Sequence, residues 1–131
     1  MMRIKPLTEE QYDFVRQYIQ LLITVEDGIE LVDISYQERN FGSGDKLLKD
    51  IVGAFVPLNS SNTTIGSILT YDSGLSRQLE KFPAILEQVL HLNEIINDSE
   101  EKKAFIHDFL LPAYKQWKNK VDNILQEYVA N

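Results

Sequence analysis

No cysteine occurs among the 131 residues, which excludes a disulfide framework, a thiolate nucleophile and a thiolate metal site. Glycine and proline are scarce, at 6 and 4, so the composition is not that of a low-complexity or fibrous chain. Basic residues are in deficit: 13 Lys and Arg stand against 20 Asp and Glu, giving a net charge of −7 and a pI near 4.8. Such a field repels phosphate backbones and anionic lipid head groups, and argues against nucleic acid or a membrane surface as partner. No apolar run approaches the roughly 18 residues of a membrane helix, and residues 1–7 lack the apolar core of a signal peptide. A cytoplasmic location is expected. With 44% apolar residues, the expectation is one soluble domain over residues 1–131, because two domains would each be too small for a good core.

What the sequence does hold is helical periodicity. Val15, Tyr18, Leu22, Val25, Ile29, Val32 and Tyr36 step alternately by 3 and 4, which is the seam of a long amphipathic helix. Thr8 followed by Gln11 forms a capping-box pattern at its start. Asn40, Phe41, Gly42, Ser43 and Gly44 supply turn residues at its end, so a helix over residues 8–39, about 48 Å long, is expected. Leu48, Ile51, Phe55, Leu58, Asn62, Ile65 and Leu69 continue the pattern straight through Pro57 and the polar tract at 59–64. Periodicity there says helix and composition says loop. The expectation is a kink or short break at residues 57–61, with a loop over 58–64 as the alternative.

A turn at Tyr71, Asp72, Ser73 and Gly74 precedes a third seam: Leu75, Leu79, Phe82, Leu86, Val89, Asn93 and Ile96. Pro83 fits it only if a helix starts close to residue 82. Ser99 is the expected cap of a fourth helix carrying Phe105, Ile106, Phe109, Leu110, Tyr114, Trp117, Val121, Ile124, Leu125 and Tyr128. A shift of phase near Pro112 predicts a bend there. Four such segments with short turns predict an all-α fold, a single antiparallel up-down-up-down four-helix bundle kinked near Pro57 and Pro112. Aligning the layers puts Asn62 level with Leu22, Phe82 and Tyr114, with the Tyr114 hydroxyl as the expected partner of the Asn62 amide.

Chemistry-bearing constellations are missing. The Glu-x-x-His pairs of a bundle metal site are absent, since Gln88 and Ala104 stand three residues before His91 and His107. Glu87, His91 and Glu94 could share a face, but such spacing is common on exposed helices. There is no Gly-x-Ser-x-Gly elbow, and the stretch Gly42-Ser43-Gly44-Asp45-Lys46 lacks the spacing of a phosphate loop. No catalytic residue, metal or cofactor is expected.

The informative features are surfaces. Between Gln17 and Glu38 no Lys or Arg occurs, while Glu26, Asp27, Glu30, Asp33 and Glu38 all fall there. This face reads either as solvated or as a docking surface for a basic protein. Ile19 and Ile23, off the main seam, widen the apolar stripe nearby and could belong to a groove or a self-association face. The leading expectation is a non-enzymatic interaction module: an adaptor, a chaperone-like protein, or a regulatory or immunity-type bundle, acting as monomer or homodimer. The alternative is a bundle holding a small ligand or metal near Asn62, Tyr114 and Trp117.

Overall fold

The computed structural model describes residues 6–94 and 96–130. Residues 1–5, 95 and 131 lie outside the described residues, and with them most of the stretch 1–7 read for a signal peptide. Among the described residues every regular element is helical, and the chain is an all-α four-helix bundle. The first two helices are α1 (Glu9–Gln37) and α2 (Phe41–Ile68). The third is divided into α3 (Ser73–Leu79) and α4 (Phe82–Glu94). The fourth runs from α5 (Ser99–Phe105) through a π-helical segment (Ile106–Leu110) into α6 (Leu111–Val129).

Helix α1 follows its sequence. The Thr8 hydroxyl accepts from the Gln11 amide at 3.1 Å, and the Gln11 side chain accepts from the Thr8 amide at 3.0 Å. All seven seam residues from Val15 to Tyr36 are buried. The closing turn differs from expectation. Arg39, with φ 63°, is the left-handed residue; its amide donates to the Tyr36 carbonyl and the Asn40 amide to that of Ser35, a Schellman closure. The glycines are not in the turn. Helix α2 starts at Phe41, so Gly42 and Gly44 lie in its first turn. Gly44 is buried there, and a Cβ on it would stand 2.6 Å from the Tyr36 ring; this close approach of the two helices explains the missing side chain.

Helix α2 is unbroken across Pro57 and residues 59–64, so neither the short break nor the loop forms. Pro57 and Gly53 lie on the exposed face, where the Gly53 carbonyl that loses its amide partner meets water. The polar tract gives up roughly 0.5 kcal/mol per residue in helix propensity, about 3 kcal/mol over six residues. Burying Leu58, Ile65 and Leu69 completely returns about 1.5–3 kcal/mol each, so packing wins over propensity. The hydroxyls of Ser60, Thr63 and Ser67 bond back to carbonyls four residues earlier and do not compete for the ladder.

The third seam is interrupted at residues 80–81, and Pro83 stands second in α4, where its missing N–H is not needed. The inward set of α4 is Phe82, Ile85, Val89 and Leu92, so Ile85 and Leu92 replace the expected Leu86 and Asn93. The cap of α5 is Asp98, accepting from the Glu101 amide at 3.1 Å, where Ser99 was expected. Ahead of Pro112 the helix widens: Leu111 donates to the carbonyl of Ile106, five residues back. This is the phase shift visible in the sequence. It keeps Ile106, Leu110, Tyr114 and Trp117 inward and turns Phe109 out, 62% exposed, where a core position was expected.

Contacts fix the packing order. Along α1 and α2, Tyr36 meets Asp45, Gly28 meets Ile51 and Tyr18 meets Asn62, so these helices run antiparallel. Along α1 and the fourth helix, Asp33 meets His107 of the π-helical segment, and in α6 Glu30 meets Lys115, Glu26 meets Lys118 and the Tyr12 hydroxyl reaches the Val129 carbonyl. At the centre Phe55 stacks on Phe82 at 5.5 Å, and Phe82, Trp117 and Tyr114 continue the aromatic cluster at 4.8 and 5.7 Å.

Candidate docking face

The seam of α1 and its wide contact with α2 and α6 decide which of its acidic side chains remain available. Residues 26, 30 and 33 rotate toward the fourth helix and meet Lys118, Lys115 and His107. Glu26 pairs with Lys118 at 2.6 Å, both side chains largely covered, and Glu30 pairs with Lys115 at 3.3 Å. Asp33, only 9% exposed, holds His107 Nδ1 at 3.2 Å from each carboxylate oxygen and accepts from Gln37 at 3.4 Å. This part of the acidic run is a ladder between helices, and it accounts for Lys115 and Lys118 as well.

Asp27 and Glu38 turn the other way and are exposed. Among the described residues neither has an ion pair or a side-chain hydrogen bond. Between them on the same stripe, at spacings of 4, 3 and 4, stand Leu31 and Ile34. Both are large, apolar and half exposed, at 54% and 50%. Exposing two aliphatic side chains one turn apart, framed by two free carboxylates, is unfavourable for an isolated helix surface and suits a contact. Sequence reasoning passed over Leu31 and Ile34 because they lie off the core seam. Their register with Asp27 and Glu38 was the signal that could have found them.

Ile19 and Ile23 are placed otherwise. Ile19 is buried and lines a shallow cavity of about 270 Å³ with Arg16, Gln20, Gln126, Val129 and Ala130. Ile23 packs half-buried against the core. A second apolar surface lies beside α4: the Phe105 ring faces Ala84, Glu87, Gln88 and His91, and the Phe109 ring lies 5.8 Å from that of Phe105.

Among the described residues, the three expected to share a ligand cavity line no common one. The Tyr114 hydroxyl donates to the Leu22 carbonyl at 2.8 Å and lies fully inside the core. Trp117 Nε1 donates to the Gln78 carbonyl at 2.8 Å and faces a separate groove with Lys81 and Lys120. Asn62 accepts from the Tyr18 hydroxyl, not from Tyr114, because α2 lies about one turn from the expected register against α1, whereas Tyr114 meets Leu22 at the expected level. Burial pushes the phenols of Tyr18 and Tyr114 well above their usual value, so both stay neutral donors.

At the other end of α1 the Tyr36 hydroxyl donates to Asp45, which also receives Lys102 at 3.2 Å. Burial pushes the Asp45 carboxyl up, but the hydrogen bonds from Tyr36 and Lys102 and the charges of Lys102 and Lys49 outweigh it and hold the group below the usual carboxylate range. No helix of the described chain is long and apolar enough to cross a membrane.

The chain belongs to the family described as "Domain of unknown function (DUF8042)", whose model matches residues 13–120, from the first turns of α1 into α6. It is similar to the "Uncharacterized protein YvzG" of Bacillus subtilis (strain 168), with 24% identity over 123 residues that cover 93% of this chain and 97% of that protein. No solved structure matches.

Proposed function

We propose that this chain is a non-enzymatic, cytoplasmic interaction module that docks a basic amphipathic helix of another protein on the outer face of α1. The carrying observation is the stripe Asp27, Leu31, Ile34 and Glu38, with half-exposed aliphatic side chains between carboxylates that have no partner among the described residues. A partner helix with two apolar anchors and lysines or arginines at the flanks would cover the first pair and neutralise the second. The net charge of −7 adds long-range attraction for such a partner and speeds its encounter. A second copy of this chain fits less well, since a two-fold contact through the stripe would set carboxylate against carboxylate. One helix face is small beside the roughly 800 Å² per partner of a standard interface, so the complex is expected to be transient and sensitive to salt.

The test compares proteins retained from a native lysate by the wild type, by the double variant Leu31→Ser/Ile34→Ser and by Asp27→Lys/Glu38→Lys. The expected result is a basic protein held by the wild type, lost with both variants and released as salt rises, with purified partner repeating the pattern. If every retained protein binds all three forms equally, the outer face of α1 is only a solvated surface.

A further inference from the structure

A different region carries a second reading, independent of the docking face. The tract at residues 59–64 stays helical although none of its residues favours a helix, and one face of it is hollow. Asn59, Asn62, Thr63 and Gly66 of α2, with Ser76 and Leu79 of α3, Glu80 just after it and Pro83 at the start of α4, line a cleft of about 290 Å³. Gly66 lines the cleft without a side chain, and a Cβ there would stand 3.6 Å from Leu79 Cδ1, an ordinary contact.

Asn62 is the unusual member. It is 6% exposed, its Oδ1 accepts from Tyr18, and its Nδ2 has no hydrogen-bond partner among the described residues. A buried amide N–H₂ left without an acceptor is rare and destabilising. Turning the amide over would let Nδ2 donate to the Tyr18 hydroxyl oxygen but would leave Oδ1 without a donor, so one of the two amide atoms stays unsatisfied in either orientation. Among the described residues the cleft supplies no cation to an incoming group, and its one charge is the Glu80 carboxylate. An anion is therefore repelled. With Asn62 Nδ2 as the free group, a protonated amine could meet Glu80 but has no lone pair for Nδ2. A hydroxyl accepts and donates at once, and so serves Asn62 as acceptor and Glu80 as donor, while Leu79 and Pro83 offer an apolar wall.

We propose that this cleft binds an uncharged polyhydroxylated small molecule of about monosaccharide size. One of its hydroxyls accepts from Asn62 Nδ2 and others meet Ser76, Thr63 and Glu80. Solvent does not reach Nδ2, so seating the ligand requires a small shift of the lining side chains.

The side-chain amide resonances of Asn62 in ¹H–¹⁵N spectra read this directly. The chain is titrated with glucose, ribose and myo-inositol, and in parallel with glucose 6-phosphate and spermidine. The expected result is a saturable shift of the Asn62 amide with at least one neutral polyol, at millimolar concentration or below, and binding of glucose 6-phosphate at least about tenfold weaker than glucose. Thr63 is exposed on the rim, so Thr63→Leu leaves the core intact and is expected to abolish the shift while the rest of the spectrum is retained. The proposal is overturned if no neutral polyol gives a saturable shift, if the phosphate or the amine binds better, or if the polyol shift survives in Thr63→Leu.

Discussion

Two buried tyrosine hydroxyls that look alike are expected to differ in what their removal costs. Tyr114 donates to the Leu22 carbonyl, which as a helix carbonyl keeps its ladder partner, so Tyr114→Phe loses one hydrogen bond, about 1 kcal/mol. Tyr18 is the only described partner of Asn62 Oδ1, so Tyr18→Phe strands a buried acceptor beside a donor already free and is expected to cost about 2–3 kcal/mol. Urea unfolding of the two variants checks the difference. Glycines separate in the same way. Gly44→Ala forces a Cβ into the Tyr36 ring and destabilises, whereas Gly53→Ala, with nothing within 4 Å, gains about 0.5–1 kcal/mol from helix propensity. The Tyr36 contact with Gly44 was not legible in the sequence, because it depends on how closely two helices approach.

For whole elements, most of the architecture was legible and its irregularities were harder to place. The seams of α1 and α2 are buried as their spacing predicts, Asn62 included. The sequence overstated the power of Pro57 and residues 59–64 to break α2, since propensity is a local term and the burial of Leu58 and Ile65 is not. The π-helical widening before Pro112 was legible only as a shift of phase. The acidic run on α1 was legible as charge, but its division into Glu26, Glu30 and Asp33 facing the fourth helix and Asp27 and Glu38 facing out depends on which neighbour packs on which flank. That division predicts a contrast in stability. Glu26→Lys sets two ammonium groups together at a largely covered position and is expected to cost about 1–3 kcal/mol, while Asp27→Lys changes stability by less than about 0.5 kcal/mol. Thermal unfolding of the two single variants measures it.

The whole molecule should respond to pH at both ends. Asp45 has a lowered folded-state value, so its contribution is present above the ordinary value of 3.8 and is lost as pH falls through the folded value. The phenols of Tyr18 and Tyr114 are raised by burial, so their contribution is intact below pH 10 and is lost as pH rises beyond it, when the unfolded chain ionises and the folded chain does not. Each buried phenol then costs about 1.4 kcal/mol per pH unit, and Tyr114→Phe should flatten the alkaline slope of urea stability by one such step. An unchanged slope would mean that the phenol ionises in the folded state.

The central claim concerns the outer face of α1, and it is tested most directly by mapping where a cationic amphipathic peptide binds. The amide spectrum of the chain is titrated with a helical peptide that carries two leucines one turn apart between flanking lysines. The account predicts shifts centred on Asp27, Leu31, Ile34 and Glu38 that weaken as salt rises. Shifts centred on the Phe105 and Phe109 surface, or none on α1, would contradict it.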